Sequence, residues 1–221
     1  MRSPIIRCGE CLFPFIFCVT SLSNFAQEKI SVNPGIDRWL IKTSLITNPH
    51  GKTVALKELL SLPNPIKENS TKYEKSRIPI PVGNDSLMEG DLITTTGWIH
   101  LIALEDDAVK HRDGDYHIQV RASYKWGDTC LIVEVPYAKF VSDSSLRAKC
   151  EAIRGFLRSN FLSGQEPLMD GSKISPPLKV IITGQLFFDA VHLKTLPRGK
   201  KGMHSYTCWE IHPIVDIKFT Q

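Results

Sequence analysis

From residue 90 onward apolar side chains tend to recur at every second position, the spacing of β-strands that turn one face inward. In 115–120, Tyr116, Ile118 and Val120 point one way while Asp115, His117 and Gln119 point the other. Along 209–219, Trp209, Ile211, Val215, Ile217 and Phe219 share one face; Glu210, His212, Asp216 and Lys218 share the opposite one. Pro213 interrupts that strand and marks an edge or a bulge. The stretch TCLIVEVPY is nearly all apolar, with Glu134 alone against Leu131, Val133 and Val135. DLITTTGWIHLIALE and LKVIITGQLFFD complete a set of five predicted strands. Asp113-Gly114 and Gly127-Asp128 supply turns between the first three. Leu146, Cys150, Ile153 and Leu157 repeat at helical spacing, which predicts a helix over 145–159 between the third and fourth strands.

The resulting order, β-β-β-α-β-β, is that of an OB-like five-stranded barrel, a mainly β (α+β) fold, over residues 90–221. Residues 27–89 are expected to form an N-terminal extension and a Pro-rich linker. In it, IDRWLIKTSLI reads as extended, TVALKELLSL as a short helix capped by Thr53, and LPNPIKENSTKYEKSRIPIPVGNDS as a linker or surface arm. A chain of 221 residues is long enough to bury a core, and this extension is too short and too proline-interrupted to form a second one.

The first 26 residues follow a different pattern. Arg2 and Arg7 precede an uncharged run, LFPFIFCVTSL, and small or polar residues lead to Ala26. That is the order of a secretory signal, with cleavage after Ser23 or Ala26, so a secreted or periplasmic protein is expected. The apolar run is shorter than a bilayer span and none later reaches that length, so no transmembrane segment is expected. Phe17 before Cys18 is too bulky for lipoprotein processing, which argues against a lipid anchor. Processing would leave Cys130, Cys150 and Cys208 in an oxidising compartment. The helical pattern makes Cys150 a buried thiol. Cys130 and Cys208 each precede a predicted strand and are the candidates for a disulfide.

A net charge of +4 does not by itself mark a nucleic-acid protein. The charge gathers in the loop HLKTLPRGKKGMHSY, where Lys194, Arg198, Lys200 and Lys201 stand near Tyr206. Loops at this place in OB barrels contact ligands, and cations beside an aromatic suit phosphate contact with base stacking. The alternative is a solvated turn. Asp115, His117, Glu134, Glu210 and His212 form the second constellation, on strands that an OB order brings together. Two imidazoles among carboxylates suit a transition metal, the one cofactor these residues admit. Alternatively, they hydrogen-bond across strands and fix the barrel's closure. His50-Gly51-Lys52-Thr53 ends like a phosphate-binding loop but lacks its first glycine. Beyond the first 26 residues no C-x-x-C occurs, the chain has no calcium loop or G-x-S-x-G elbow, and no catalytic residue is assigned.

Five segments resemble a family of exported, mostly uncharacterised bacterial proteins. They are Arg38-Trp39-Leu40-Ile41-Lys42-Thr43, Asp113-Gly114-Asp115-Tyr116-His117, Ile132-Val133-Glu134-Val135-Pro136, Thr183-Gly184-Gln185-Leu186-Phe187-Phe188-Asp189 and Glu210-Ile211-His212-Pro213 with the strand after it. The resemblance implies an OB-like barrel and a label of nucleic-acid binding, without an agreed activity. Asp113-Gly114-Asp115 and Glu134-Val135-Pro136 also resemble, more distantly, the thermonuclease branch of OB barrels. That chemistry needs carboxylates for a divalent cation and arginines for the phosphoryl oxygens. The third strand has no arginine where the first is needed. Arg198 sits in a loop suited to the second but between Pro197 and Gly199, as in an ordinary turn, so the set is incomplete. Three functions follow: a module binding nucleic acid or another polyanion through the 192–207 loop, a metal-dependent phosphodiesterase on Asp113, Asp115 and Glu134, and a structural envelope protein with a protein partner.

Overall fold

In a computed structural model, residues 38–46, 51–68, 71–105 and 113–220 are described. The expected signal segment, with its three cysteines, lies outside them. The elements are α1 (Trp39–Lys42), β1 (Gly51–Thr53), α2 (Leu56–Leu59), β2 (Leu92–Leu104), β3 (Tyr116–Arg121), β4 (Leu131–Val135), α3 (Ser144–Phe161), β5 (Ser172–Phe188) and β6 (Trp209–Phe219). Short 3-10 turns lie at Thr71–Tyr73, Ala138–Phe140 and Ala190–Lys194.

Strands β2 to β6 pair in the order β2-β3-β4-β6-β5, and β5 pairs again with β2, so the sheet closes into an OB-like five-stranded barrel. All barrel pairings are antiparallel except β4 with β6, a parallel ladder at Ile132↔Glu210 and Val133↔Ile211. Closure removes the open edges a five-stranded sheet would otherwise present. Strand β1 adds parallel to β2 outside the barrel.

The alternation assigns faces well up to Pro213. Tyr116, Ile118, Val120, Leu131, Val133, Trp209 and Ile211 all enter the core. The β5–β6 register then shifts around Gly184, whose partner is Ile214, while Leu186 pairs with Ile211. This bulge puts Ile214 into the core instead of Val215, and leaves Phe219 exposed. A Cβ added at Gly184 would lie 2.6 Å from the Pro213 carbonyl oxygen, so the close approach of the two strands requires glycine there. Helix α3 starts at Asp143, whose side chain accepts from the Leu146 amide at 2.7 Å, and closes the core with Leu146, Cys150, Ile153 and Leu157.

Residues upstream of the barrel depart from expectation. The RWLIKT segment is a helical turn, not extended, and Thr53 ends β1 while the short helix α2 begins beyond it, at Leu56. Val54, Leu56, Leu59, Leu62, Ile78, Val82 and Leu87 join the barrel's own core, and Trp209 Nε1 donates to the Pro63 carbonyl at 2.9 Å. Arg38 fixes the start. Its guanidinium donates to both Glu89 carboxylate oxygens, at 2.7 and 2.6 Å, and to the carbonyls of Tyr73, Ser76 and Phe188.

The disulfide expected between Cys130 and Cys208 is not formed: both are free, buried thiols, as is Cys150. Burial pushes each thiol up to about 12, which keeps it protonated and unreactive. No helix among the described residues is long and apolar enough to cross a membrane.

Candidate functional site

The outer faces of β3, β4 and β6 carry polar residues, yet they are buried. In the β3–β4 ladder His117 lies opposite Glu134, and the parallel β4–β6 step brings Glu210 and His212 alongside. The loop between β5 and β6 folds over this face. Gln119 ties it down, accepting from the Lys200 amide at 2.6 Å and donating to the Met203 carbonyl at 3.3 Å. From the other side α1 inserts Lys42.

An inner group forms around the His212 ring. Its Nδ1 is 2.9 Å from Glu134 Oε2 and 3.6 Å from Glu210 Oε2, and its Nε2 is 3.5 Å from Asp115 Oδ2. Lys42 Nζ stands 3.6, 3.9 and 3.7 Å from Asp113, Asp115 and Glu134. Burial opposes every charge here, so the outcome depends on the partners. Burial and Asp113 push the Asp115 carboxyl up to about 8, against Lys42 and His212. Burial would also raise Glu134, but Lys42 and the two histidines hold it well below the carboxylate range. For His212, burial and Lys42 act downward; Glu134 and Glu210 outweigh them and lift it to about 9. The Lys42 ammonium is likewise held well above its ordinary value by Glu134, Asp115 and Asp113 despite burial. At neutral pH this group is largely neutralised from within.

An outer group faces solvent. His117 Nδ1 lies 3.2 Å from Glu134 Oε1 and 3.2 Å from Glu105 Oε1, and Lys200 Nζ stands 3.5 Å from Glu105. These residues wall a cleft of about 200 Å³ together with Lys42, Asp113, Asp189 and Arg198. The cleft lies between the ends of the β2–β3 and β5–β6 connections, where OB barrels bind ligands. Arg198 turns inward to pair with Asp189 at 3.0 Å and with Glu210. Six of the eight buried side-chain polar atoms without a hydrogen-bond partner, among the described residues, belong to this one site. They are Asp115 Oδ2, His117 Nε2, Arg198 Nε, Glu210 Oε2 and both ring nitrogens of His212.

The chain matches no family model, curated protein or solved structure. The site must therefore be read from its own geometry.

Asp115, His117, Glu134, Glu210 and His212, the five expected metal ligands, are brought together. Four of them fall into two overlapping sets, Asp115–Glu134–His212 inside and His117–Glu134, completed by Glu105, outside; Glu210 belongs to neither and pairs with Arg198. The five expected polyanion contacts are divided. Arg198 and Lys200 enter the cleft, whereas Lys194, Lys201 and Tyr206 remain exposed, with Lys201 paired to Asp170 and the Tyr206 hydroxyl to Asp128 at 3.3 Å. Sequence reasoning missed Lys42, Glu105 and Asp189 as site residues. Lys42 and Asp189 belong to two of the five segments singled out above, and each of those segments supplies at least one charged group here. Glu105 carried no signal beyond ending a strand.

Proposed function

We propose that this chain is an OB-like binding module for a divalent transition metal, held at the cleft wall by Glu105, His117 and Glu134. The observation that carries the reading is the placement of His117 Nδ1 at 3.2 Å from a carboxylate oxygen on each side. One imidazole between two carboxylates is a donor set for zinc or manganese rather than for calcium. Asp115 and His212 are fully buried behind Lys42, whereas Glu105 and His117 line the open cleft, so the outer set is the one an exchangeable ion can reach. Calorimetric titration of chelator-stripped protein with zinc or manganese is expected to give one site, lost in both His117→Ala and Glu134→Gln. Failure to bind stoichiometrically, or binding that survives both substitutions, would sink the proposal.

A second reading has its own support. Lys200 lines the same cleft as the metal ligands, so a phosphate ester entering it meets both an ammonium and the ion. Metal-dependent phosphodiester hydrolysis predicts turnover of a chromogenic phosphodiester with manganese, abolished by chelator and by Glu134→Gln. Metal binding without turnover leaves the binding module alone standing. The basic loop carries the function less well, because Arg198 is committed to Asp189 and Glu210.

A further inference from the structure

Away from the cleft, the β3–β4 loop displays aromatic rings that the core does not use. Tyr124 is 52% and Trp126 45% exposed, and Trp98 on β2 is half-buried beside them. The Trp98 and Tyr124 rings meet edge to face at 5.0 Å, and Trp126 packs similarly on His100 at 5.8 Å. Cations are placed over both indoles: Lys179 Nζ is 5.8 Å from the Trp98 ring centre, and Lys173 Nζ 4.6 Å from that of Trp126. Lys125, on the same loop, is also exposed.

The display is held in place by specific contacts. Arg121, paired with Trp98 across the β2–β3 ladder, donates to the carbonyls of Lys125 and Thr129 and packs over Gly127. Ser123 accepts from the Lys125 amide through its hydroxyl, at 3.1 Å, and its carbonyl lies 2.9 Å from His100 Nε2. The loop's one carboxylate, Asp128, faces the hydroxyls of Thr129 and Tyr206. Exposed flat rings on a fixed loop, with lysines between them, offer π-faces for stacking and charge for phosphates.

We infer that this face binds single-stranded nucleic acid, with Tyr124 and Trp126 stacking on bases and Lys173 and Lys179 contacting the backbone. A duplex keeps its base faces stacked on one another and cannot offer them to these rings.

The test uses the full chain in chelator, so that it is independent of the cleft. Fluorescence anisotropy is read with a labelled oligothymidylate and with an abasic strand of equal length. Thymidylate is expected to bind in a salt-dependent way, at least about tenfold tighter than the abasic strand. Trp126→Ala and Tyr124→Ala are each expected to weaken thymidylate binding by about five- to a hundredfold and leave abasic binding unchanged. Lys173→Ala with Lys179→Ala should weaken both strands and flatten the salt dependence. Should Trp126→Ala lower the melting temperature, Trp126→Phe, which keeps a ring, is expected to bind thymidylate nearly as the parent does. Equal affinity for the two strands, aromatic variants that bind like the parent, or no binding at low salt would each overturn the inference. Displacement by dextran sulfate with the aromatic variants unaffected would assign the face to a sulfated polymer instead.

Discussion

Lys42 shows what a single side chain contributes when carboxylates surround it. It is the one ammonium within 4 Å of Asp113, Asp115 and Glu134 among the described residues. Removing one partner of a buried charge group costs more than the group contributes intact, because the remaining charges stay desolvated and uncompensated. Lys42→Met is therefore expected to lower stability by about 3–5 kcal/mol, read from urea denaturation. A loss below about 1 kcal/mol would mean that the carboxylates are screened by solvent. The cysteines make the opposite case. Each thiol is buried and pushed up to about 12. In folded protein lacking residues 1–26, Cys130, Cys150 and Cys208 should react negligibly with a thiol reagent at mildly alkaline pH, and all three should react after unfolding. Rapid labelling of the native chain would contradict this burial. The carboxylates and histidines were legible in the sequence because they stand alone on alternating strands. Lys42 was not, since a lysine in a short polar-flanked segment has no periodic signal to place it.

Elements were legible in proportion to their length. Eighteen residues of α3 and eleven of β6 carry enough repeats for the period to stand out. The four-residue α1 does not, and α2 was expected as a short helix but with its start placed too early, at Thr53; both persist only because tertiary packing holds them. The bulge at Pro213 was anticipated as an irregularity, but its consequence for Val215 and Ile214 was not. The register shifts twice here, so the faces change between the two shifts and Ile217 beyond them still enters the core. Gly184 is the price of that register. Gly184→Ala forces a methyl group against the Pro213 carbonyl and the Ile211 side chain. The expected loss is about 1–3 kcal/mol, measurable as a shift in denaturation midpoint. An unchanged midpoint would show that β5 and β6 can separate at no cost.

At the scale of the molecule, the site ties stability to pH. His212 is raised from 6.5 to about 9, so its contribution is complete below pH 6.5 and disappears as pH rises through 9. Asp115, raised from 3.8 to about 8, acts in the same direction: the unfolded chain ionises first, and stability declines as pH rises through 8. Glu134, held well below 4.5, works oppositely, and its contribution is lost as pH falls through its lowered value. In chelator, the melting temperature should therefore fall steadily between pH 6.5 and 9, and His212→Gln should flatten that decline. A flat profile in the parent would refute the assignment of charges. The barrel's strand order was readable from the spacing of apolar positions. The integration of residues 38–89 was not, because their prolines and polar residues resemble those of a linker until the contacts of Arg38, Leu59 and Ile78 are seen.

The anchoring of Arg38 has a bearing on how the chain reaches this state. Its guanidinium binds the Phe188 carbonyl, 150 residues further along, and Lys42 waits for carboxylates on β3 and β4. The anchoring of the part of this structure made first is thus completed only after β5 has been synthesised. Until then Arg38 lacks the Phe188 carbonyl, and the barrel lacks the strand that closes it on β2. Such non-local closure belongs to the slow end of single-domain folding, in milliseconds to seconds. During synthesis, the unfinished chain is an open sheet with an unpaired edge, the condition in which a chaperone would find something to hold.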